Sequence, residues 1–285
     1  MSTADSGFVR LQNGLRLRYV CAGDEGPTAL LLHGWPETSH AWRRVLPTLA
    51  ASGYVAVAPD LRGCGDSDKP TGGYDAQTRM EDVRELAQAL GLAEDPVFVV
   101  GHGDAGAETA VALAAAYPQE VAGLVLLSAA PGILPRPAGD WVGEFHRTPD
   151  LPELLIAPHL DSYLRHFFRA WSHDPGMLSE HDLAIYVGAL ARPGALRASL
   201  APFRVAPAPA AVTADVPTLL LVGESDPRLD FSHLPAETDR LRVQTVPRGG
   251  HWLAEERPDP VAAALLTFFR EQVQGREAAA EKPGL

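Results

Sequence analysis

At 285 residues the chain is long enough to bury a substantial core as one large α/β domain with an inserted subdomain. Hydrophobic residues make up 46% and charged residues 21%, and no apolar run approaches the roughly 18 residues of a membrane span. A formal net charge of −12 argues against nucleic acid and anionic membrane surfaces as partners.

In chain order, "LRLRYV" (Leu15–Val20) alternates as a half-exposed strand does, whereas "TALLLHG" (Thr28–Gly34) and "YVAVAPD" (Tyr54–Asp60) are continuously apolar, as buried parallel strands are. Between those two, "SHAWRRVLPTLAAS" has helical spacing despite Pro47. "MEDVRELAQALG" (Met80–Gly91) predicts an amphipathic helix ended by its glycine. Strand "VFVVGH", helix "AGAETAVALAAAYP" and strand "VAGLVLLSAA" follow, an alternation that predicts a doubly wound, mostly parallel sheet flanked by helices. From Pro131 to about Pro217 the pattern becomes helical without strands and richer in Pro, His and aromatics, as in "DLPELLIAPHLDSYLRHFFRAW" and "SEHDLAIYVGALARPGALRASLAPF". Strand-like sequence resumes at "VPTLLLVGESD" and "LRVQTVPRGGH", before a last helix over Pro258–Gln274. The expected organisation is a core of residues 1–132 and 214–275, an all-helical cap over 133–213, and a frayed tail at 276–285.

The N-terminal "MSTADSGF" lacks the basic-then-apolar layout of a signal peptide, so a cytoplasmic location follows by default. Cys21 and Cys64 sit in unrelated settings and read as thiols rather than a disulfide. No dinucleotide fingerprint and no paired metal-ligand spacing occurs, so neither cofactor nor metal is expected.

Working residues of open α/β sheets lie beyond the carboxyl ends of strands. Four such ends carry polar or reactive groups: "HGWPE" (His33–Glu37), "GHGDAG" (Gly101–Gly106), "GESD" (Gly223–Asp226) and "GGHW" (Gly249–Trp252). An elbow, then an acid, then a histidine is the chain order of nucleophile, acid and base in the α/β-hydrolase fold. The motifs "HGWPET", "DLRGCGDSDKP" and "GGHWLAEERPDPV", with the cap segment "WSHDP…YVGALARPGALRA", resemble the epoxide hydrolase and dehalogenase branch of that fold, over roughly residues 8 to 273.

The resemblance implies His251 as base, Asp226 as the acid that orients it, and an oxyanion turn at His33, Gly34 and Trp35. His33 itself reads as a structural histidine of the turn, and His102 as buried beside the elbow. The elbow departs from the family pattern. Counted from the strand, Gly103 takes the apex and no nucleophile remains; counted back from Pro118, Asp104 does, with Ala105 next and one extra residue to accommodate. The second register is carried forward, giving Asp104 as nucleophile and the N–H groups of Trp35 and Ala105 as oxyanion donors. Ala105 supplies neither the Trp nor the Arg that dehalogenases place after the nucleophile, so epoxide chemistry is preferred. The cap departs too: Val142 and Phe203 stand where the resemblance implies ring-opening hydrogen-bond donors, and Tyr163 and Tyr186 lie elsewhere in the cap.

Trp35, Val142, Tyr163, Phe203 and Trp252 are the expected substrate-binding residues, and the expected substrate is a hydrophobic small molecule such as a secondary metabolite. The leading expectation is an epoxide-hydrolase-like enzyme. The alternatives are a cofactor-independent, non-hydrolytic relative that cyclises, eliminates or forms carbon–carbon bonds, and an idle ligand-binding relative. Homodimer formation stays open.

Overall fold

A computed structural model describes residues 4–129, 140–205 and 216–280. Eight strands form one sheet among these residues: β1 (Asp5–Arg10), β2 (Arg16–Ala22), β3 (Thr28–Leu32), β4 (Val55–Pro59), β5 (Val97–His102), β6 (Val121–Leu127), β7 (Thr218–Gly223) and β8 (Leu241–Val246). Their order is β1-β2-β4-β3-β5-β6-β7-β8, antiparallel at β1/β2 and β2/β4 and parallel elsewhere. The continuous apolar runs are the strands buried along their whole length, β3 through β7. β8, at the edge, alternates instead.

One face is covered by α1 (Leu46–Ala51) and α10 (Pro258–Ala280), around Trp42, Phe98 and Phe269. The other carries α2 (Ala76–Ala89) and α3 (Gly103–Ala116), packed through Met80, Leu86 and Ala110. The cap is α4 (Trp141–Arg147), α5 (Leu151–Ile156), α6 (Leu160–Ala170), α7 (Glu180–Leu190) and α8 (Ala195–Arg204), with its own core of Leu164, Phe167, Phe168 and Tyr186. A short helix, α9 (Leu253–Glu256), lies beneath it. There the buried Glu255 accepts hydrogen bonds from Arg43 of the core and Tyr186 of the cap, both at 2.5 Å.

Three sequence expectations change. The helix drawn through "SHAWRRVLPTLAAS" splits into a 3-10 turn over Ser39–Trp42 and α1, because Pro47 has no N–H to continue a helix and instead opens one. The last helix runs to Ala280, through the first part of the expected tail. β1, not anticipated, pairs with β2 from Arg16 to Cys21, all of it but Ala22. The expected cap boundaries, at 133 and 213–214, lie outside the described residues.

Candidate active site

The winding order of the strands reverses at β3, whose sequence neighbours β4 and β5 lie on opposite sides of it, so a crevice opens beyond the ends of β3 and β5. From β3 emerge His33, Gly34 and Trp35, and from β5 His102 and Gly103. β5 ends at His102 and α3 begins at Gly103 with no bulge between them. Gly103 has φ +58°, a left-handed conformation that costs glycine little and other residues more. A Cβ on Gly103 would point at His251, 3.9 Å from its Nε2.

The register counted back from Pro118 is therefore not the one the backbone adopts. Its premise is the spacing of 14 residues from the apex to Pro118, which would put the next small residue, Gly106, two positions after the apex. The residue in close approach is Gly106, where a Cβ would lie 2.4 Å from the Leu32 carbonyl oxygen, and it stands three positions after Gly103. Asp104 lies in the first turn of α3. Its carboxylate is 3.7 Å from Arg228 Nη2, and its side chain is 33% exposed.

The His251–Asp226 pair is assembled. His251 and Asp226 are both buried, and His251 Nδ1 is 3.0 Å from Asp226 Oδ2. A carboxylate only accepts, so Nδ1 carries the proton and Nε2 offers its lone pair toward Gly103. The second Asp226 oxygen accepts from the Arg228 N–H at 2.8 Å. The His251 N–H donates to the Trp171 carbonyl at 2.7 Å, and the His251 carbonyl accepts from His102 Nε2 at 2.8 Å.

His102 is completely buried, and its Nδ1 lies 2.6 Å from Glu37 Oε2. Both ring nitrogens face acceptors, so His102 is an imidazolium. Burial alone would lower its pKa, but the Glu37 charge and hydrogen bond outweigh this and raise it. Burial likewise pushes Glu37 up, and the charge and hydrogen bond of His102 leave it below its ordinary value. His33 is neutral: its Nδ1–H donates to the Gly34 carbonyl, its Nε2 accepts from the Leu61 N–H, and burial lowers its pKa.

Trp35 turns its indole into a ring of aromatic side chains from the cap. His146, Phe167, Phe203, Tyr163 and Trp171 stand 4.7 to 6.5 Å away between centroids. Trp171 also presents its edge geometry to His251 at 5.4 Å and lies under the Arg228 guanidinium at 4.6 Å. Tyr163 shares a 2.7 Å hydrogen bond with His146 Nε2; burial pulls the His146 pKa down to about 3 and pushes that of Tyr163 up, so both are neutral. Val142 is buried in the cap core, Trp252 is fully buried with its indole N–H donating to the Phe167 carbonyl, and Tyr186 is committed to Glu255. Of the expected substrate-binding residues, Trp35, Tyr163 and Phe203 are brought together, while Val142 and Trp252 support the wall from behind.

The N-terminus of α3 has no side-chain cap, so its first N–H groups, at Gly103, Asp104 and Ala105, are not satisfied from His102. An apex without a side chain, a base aimed at it, and an uncapped helix end beneath it can bind and deprotonate a small polar group. Among the described residues, no three His, Cys, Asp or Glu side chains gather as a metal-binding group. Sequence reasoning missed Arg228, Trp171, His146 and the Glu37–His102 pair as site residues. Glu37 and His102 each lie within a quoted motif, and their being ionisable residues at buried turns was the available signal. Trp171 opens the quoted cap segment "WSHDP", whereas nothing local marks Arg228 or His146.

Comparison with known proteins bears on the family and the fold. The alpha/beta hydrolase family pattern matches residues 29–264. The chain is 34% identical to the soluble epoxide hydrolase of Corynebacterium sp. (strain C12) over 270 residues, 90% of this chain and 86% of that protein. It is 31% identical to mouse (Mus musculus) epoxide hydrolase 4, covering 94% and 80% respectively. Among solved structures, wild-type Cfl2 from Burkholderia cenocepacia superposes with a TM-score of 0.82 at 34% identity, over 93% of this chain and 95% of that one. Epoxide hydrolase A from Mycobacterium thermoresistibile gives 0.81 at 27% identity, over 94% and 98%. The chain belongs to the alpha/beta hydrolase family, in its epoxide-hydrolase-like branch.

Proposed function

We propose that this epoxide-hydrolase-like enzyme acts on a hydrophobic small molecule by general-base catalysis alone, without an alkyl-enzyme ester. The observation that carries this reading is the apex: Gly103 stands at positive φ facing His251 Nε2, and the Asp104 carboxylate is turned to Arg228. A carboxylate nucleophile has to reach the electrophile in line, within about 3–3.5 Å, and an ion pair to Arg228 holds Asp104 off that position.

In this mechanism His251, oriented by Asp226, takes a proton from a hydroxyl held above Gly103, either of water or of the substrate itself. That oxygen attacks the electrophilic carbon. With an epoxide, the carbon–oxygen bond breaks and the charge forming on the ring oxygen is met by the N–H groups of Trp35 and Asp104. The imidazolium of His251 then returns the proton to that oxygen. The aromatic ring around Trp35 supports a hydrophobic substrate, and the relatives' names support an epoxide as the electrophile.

Intact-protein mass spectrometry with styrene oxide in a His251→Gln background tests this. With Gly103 in place no adduct is expected; adding Gly103→Asp, at a position whose backbone already suits an elbow, should trap an alkyl ester on residue 103. An adduct on Asp104 with Gly103 intact would overturn the reading. Turnover by the native enzyme in ¹⁸O-labelled water separates the two nucleophiles: label in the product means water, its absence the substrate's own hydroxyl.

A further inference from the structure

The loop that carries His251 is tied down by one carboxylate of the short helix that follows it. Glu256, the last residue of α9, accepts through Oε1 from the Gly250 and Trp252 N–H groups, each at 3.1 Å, and through Oε2 from the His173 N–H at 2.7 Å. Gly250 and Trp252 flank His251 in the chain, and His173 belongs to the cap, between α6 and α7. The approach is close. A Cβ on Gly250 would lie 2.5 Å from the His173 nitrogen, 2.6 Å from the Trp171 carbonyl oxygen and 2.7 Å from Glu256 Oε1.

We infer that Glu256 is a positioning residue for His251, pinning the base loop against the cap segment Trp171–His173 so that Nε2 keeps its aim at the apex. Peptide units are planar, so the direction of a side chain is set by the two planes on either side of its Cα. At His251 the first plane is fixed by its own N–H, which donates to the Trp171 carbonyl at 2.7 Å. The second carries the Trp252 N–H, held by Glu256, and the His251 carbonyl, held by His102 Nε2. Glu256 also fixes the plane before both, through the Gly250 N–H. Two consecutive glycines, Gly249 and Gly250, would otherwise leave this stretch the least restrained part of the loop. What remains is the rotation of the His251 side chain, and Asp226 fixes that through Nδ1.

The same cap segment reaches the acid. His173 Nδ1 shares a 2.8 Å hydrogen bond with Ser225 Oγ, and the Ser225 N–H donates to the Gly249 carbonyl at 2.9 Å. The loops bearing Asp226 and His251 are thus fastened to each other and to one point of the cap. Bonds to an ionised acceptor are stronger than those between neutral groups, which is why the carboxylate of Glu256 matters beyond its shape. A general base works only within about 2.6–3.2 Å of the proton it removes, so a loose loop costs rate even when the imidazole is present. The assignment rests on His251 acting as the base, as proposed above.

NMR of ¹⁵N-labelled histidine side chains tests this in the whole enzyme at neutral pH. Native His251 should show one tautomer, protonated at Nδ1. Glu256→Leu removes the acceptors and should mix the two tautomers, while the His102 Nδ1–H beside Glu37 keeps its signal as a control on the fold. On the fastest aryl epoxide it should lower kcat about tenfold to a hundredfold, with KM changed less than about threefold. Glu256→Gln, whose amide oxygen still accepts from Gly250 and Trp252, should keep the tautomer and lose about threefold in kcat. If Glu256→Leu loses the His102 signal too, Glu256→Asp, which keeps the charge but withdraws it by one methylene, should show the mixed tautomers in a folded chain. A His251 held in the native tautomer without its carboxylate overturns the assignment, and so does a Glu256→Gln enzyme as disturbed as Glu256→Leu. The tautomer is read without turnover, so a panel with no turnover counts against the mechanism proposed above while the spectrum still decides on Glu256.

Discussion

The two sides of the candidate site are furnished to different degrees. On the base side every polar atom of Asp226 and the backbone of His251 are engaged, by Arg228, Trp171 and His102. On the apex side the backbone keeps the elbow geometry but Gly103 contributes no functional group. A proton-transfer centre needs several elements to converge, whereas a nucleophile is one side chain on a turn that stands without it. Losing the second therefore leaves the first intact.

The largest effect expected from breaking this asymmetry is on the base. His251→Gln should lower kcat/KM about 10³-fold or more on the fastest substrate in a panel of aryl epoxides and hydroxy-epoxides, with the melting temperature little changed. A loss below tenfold would remove the base from the mechanism.

Second in size is the pair beneath it. Glu37→Gln leaves His102 buried without its counter-charge and should cost about 3–5 kcal/mol in denaturant unfolding. The pH dependence follows from the two shifts. His102 is raised, so its contribution is full below the ordinary histidine pKa and is lost as pH rises through the raised value. Glu37 is lowered, so its contribution is present above the ordinary carboxylate pKa and is lost as pH falls through the depressed value. Stability should peak between these limits and flatten in the variant. An unchanged pH profile would show that the pair does not hold the loop.

Smallest is the residue that a different register would make indispensable. Asp104→Asn should change turnover by less than about threefold and stability by no more than about 1 kcal/mol, as for a partly exposed ion pair. A loss of several orders of magnitude in kcat would put a covalent carboxylate back into the reaction.

Much of this was legible in the residues themselves. The buried strands declared themselves through uninterrupted apolar runs, and the order of elbow, acid and histidine named Asp226 and His251 for positions that the fold does bring together. The elbow register was not legible, because the count from the strand gives Gly103 and the count back from Pro118 gives Asp104, and only the contacts of Gly103 and Gly106 decide. One faces His251, while the other abuts the Leu32 carbonyl. Arg228 and the cap aromatics were hidden for another reason. Arg228, in the turn after β7, meets Trp171 only because the cap helices fold back over the sheet, and no local period encodes which face of α6 meets Trp35.

Gly106 carries a consequence for how such sites change over generations. Its contact with the end of β3 anchors α3 from behind, so the backbone at residue 103 is positioned by a residue that never meets a ligand. The apex then behaves as a socket. Its occupant can be exchanged, Asp for Gly or back again, while the seat and the neighbouring base stay where they are. A lineage can leave covalent chemistry through one codon and keep the way back open.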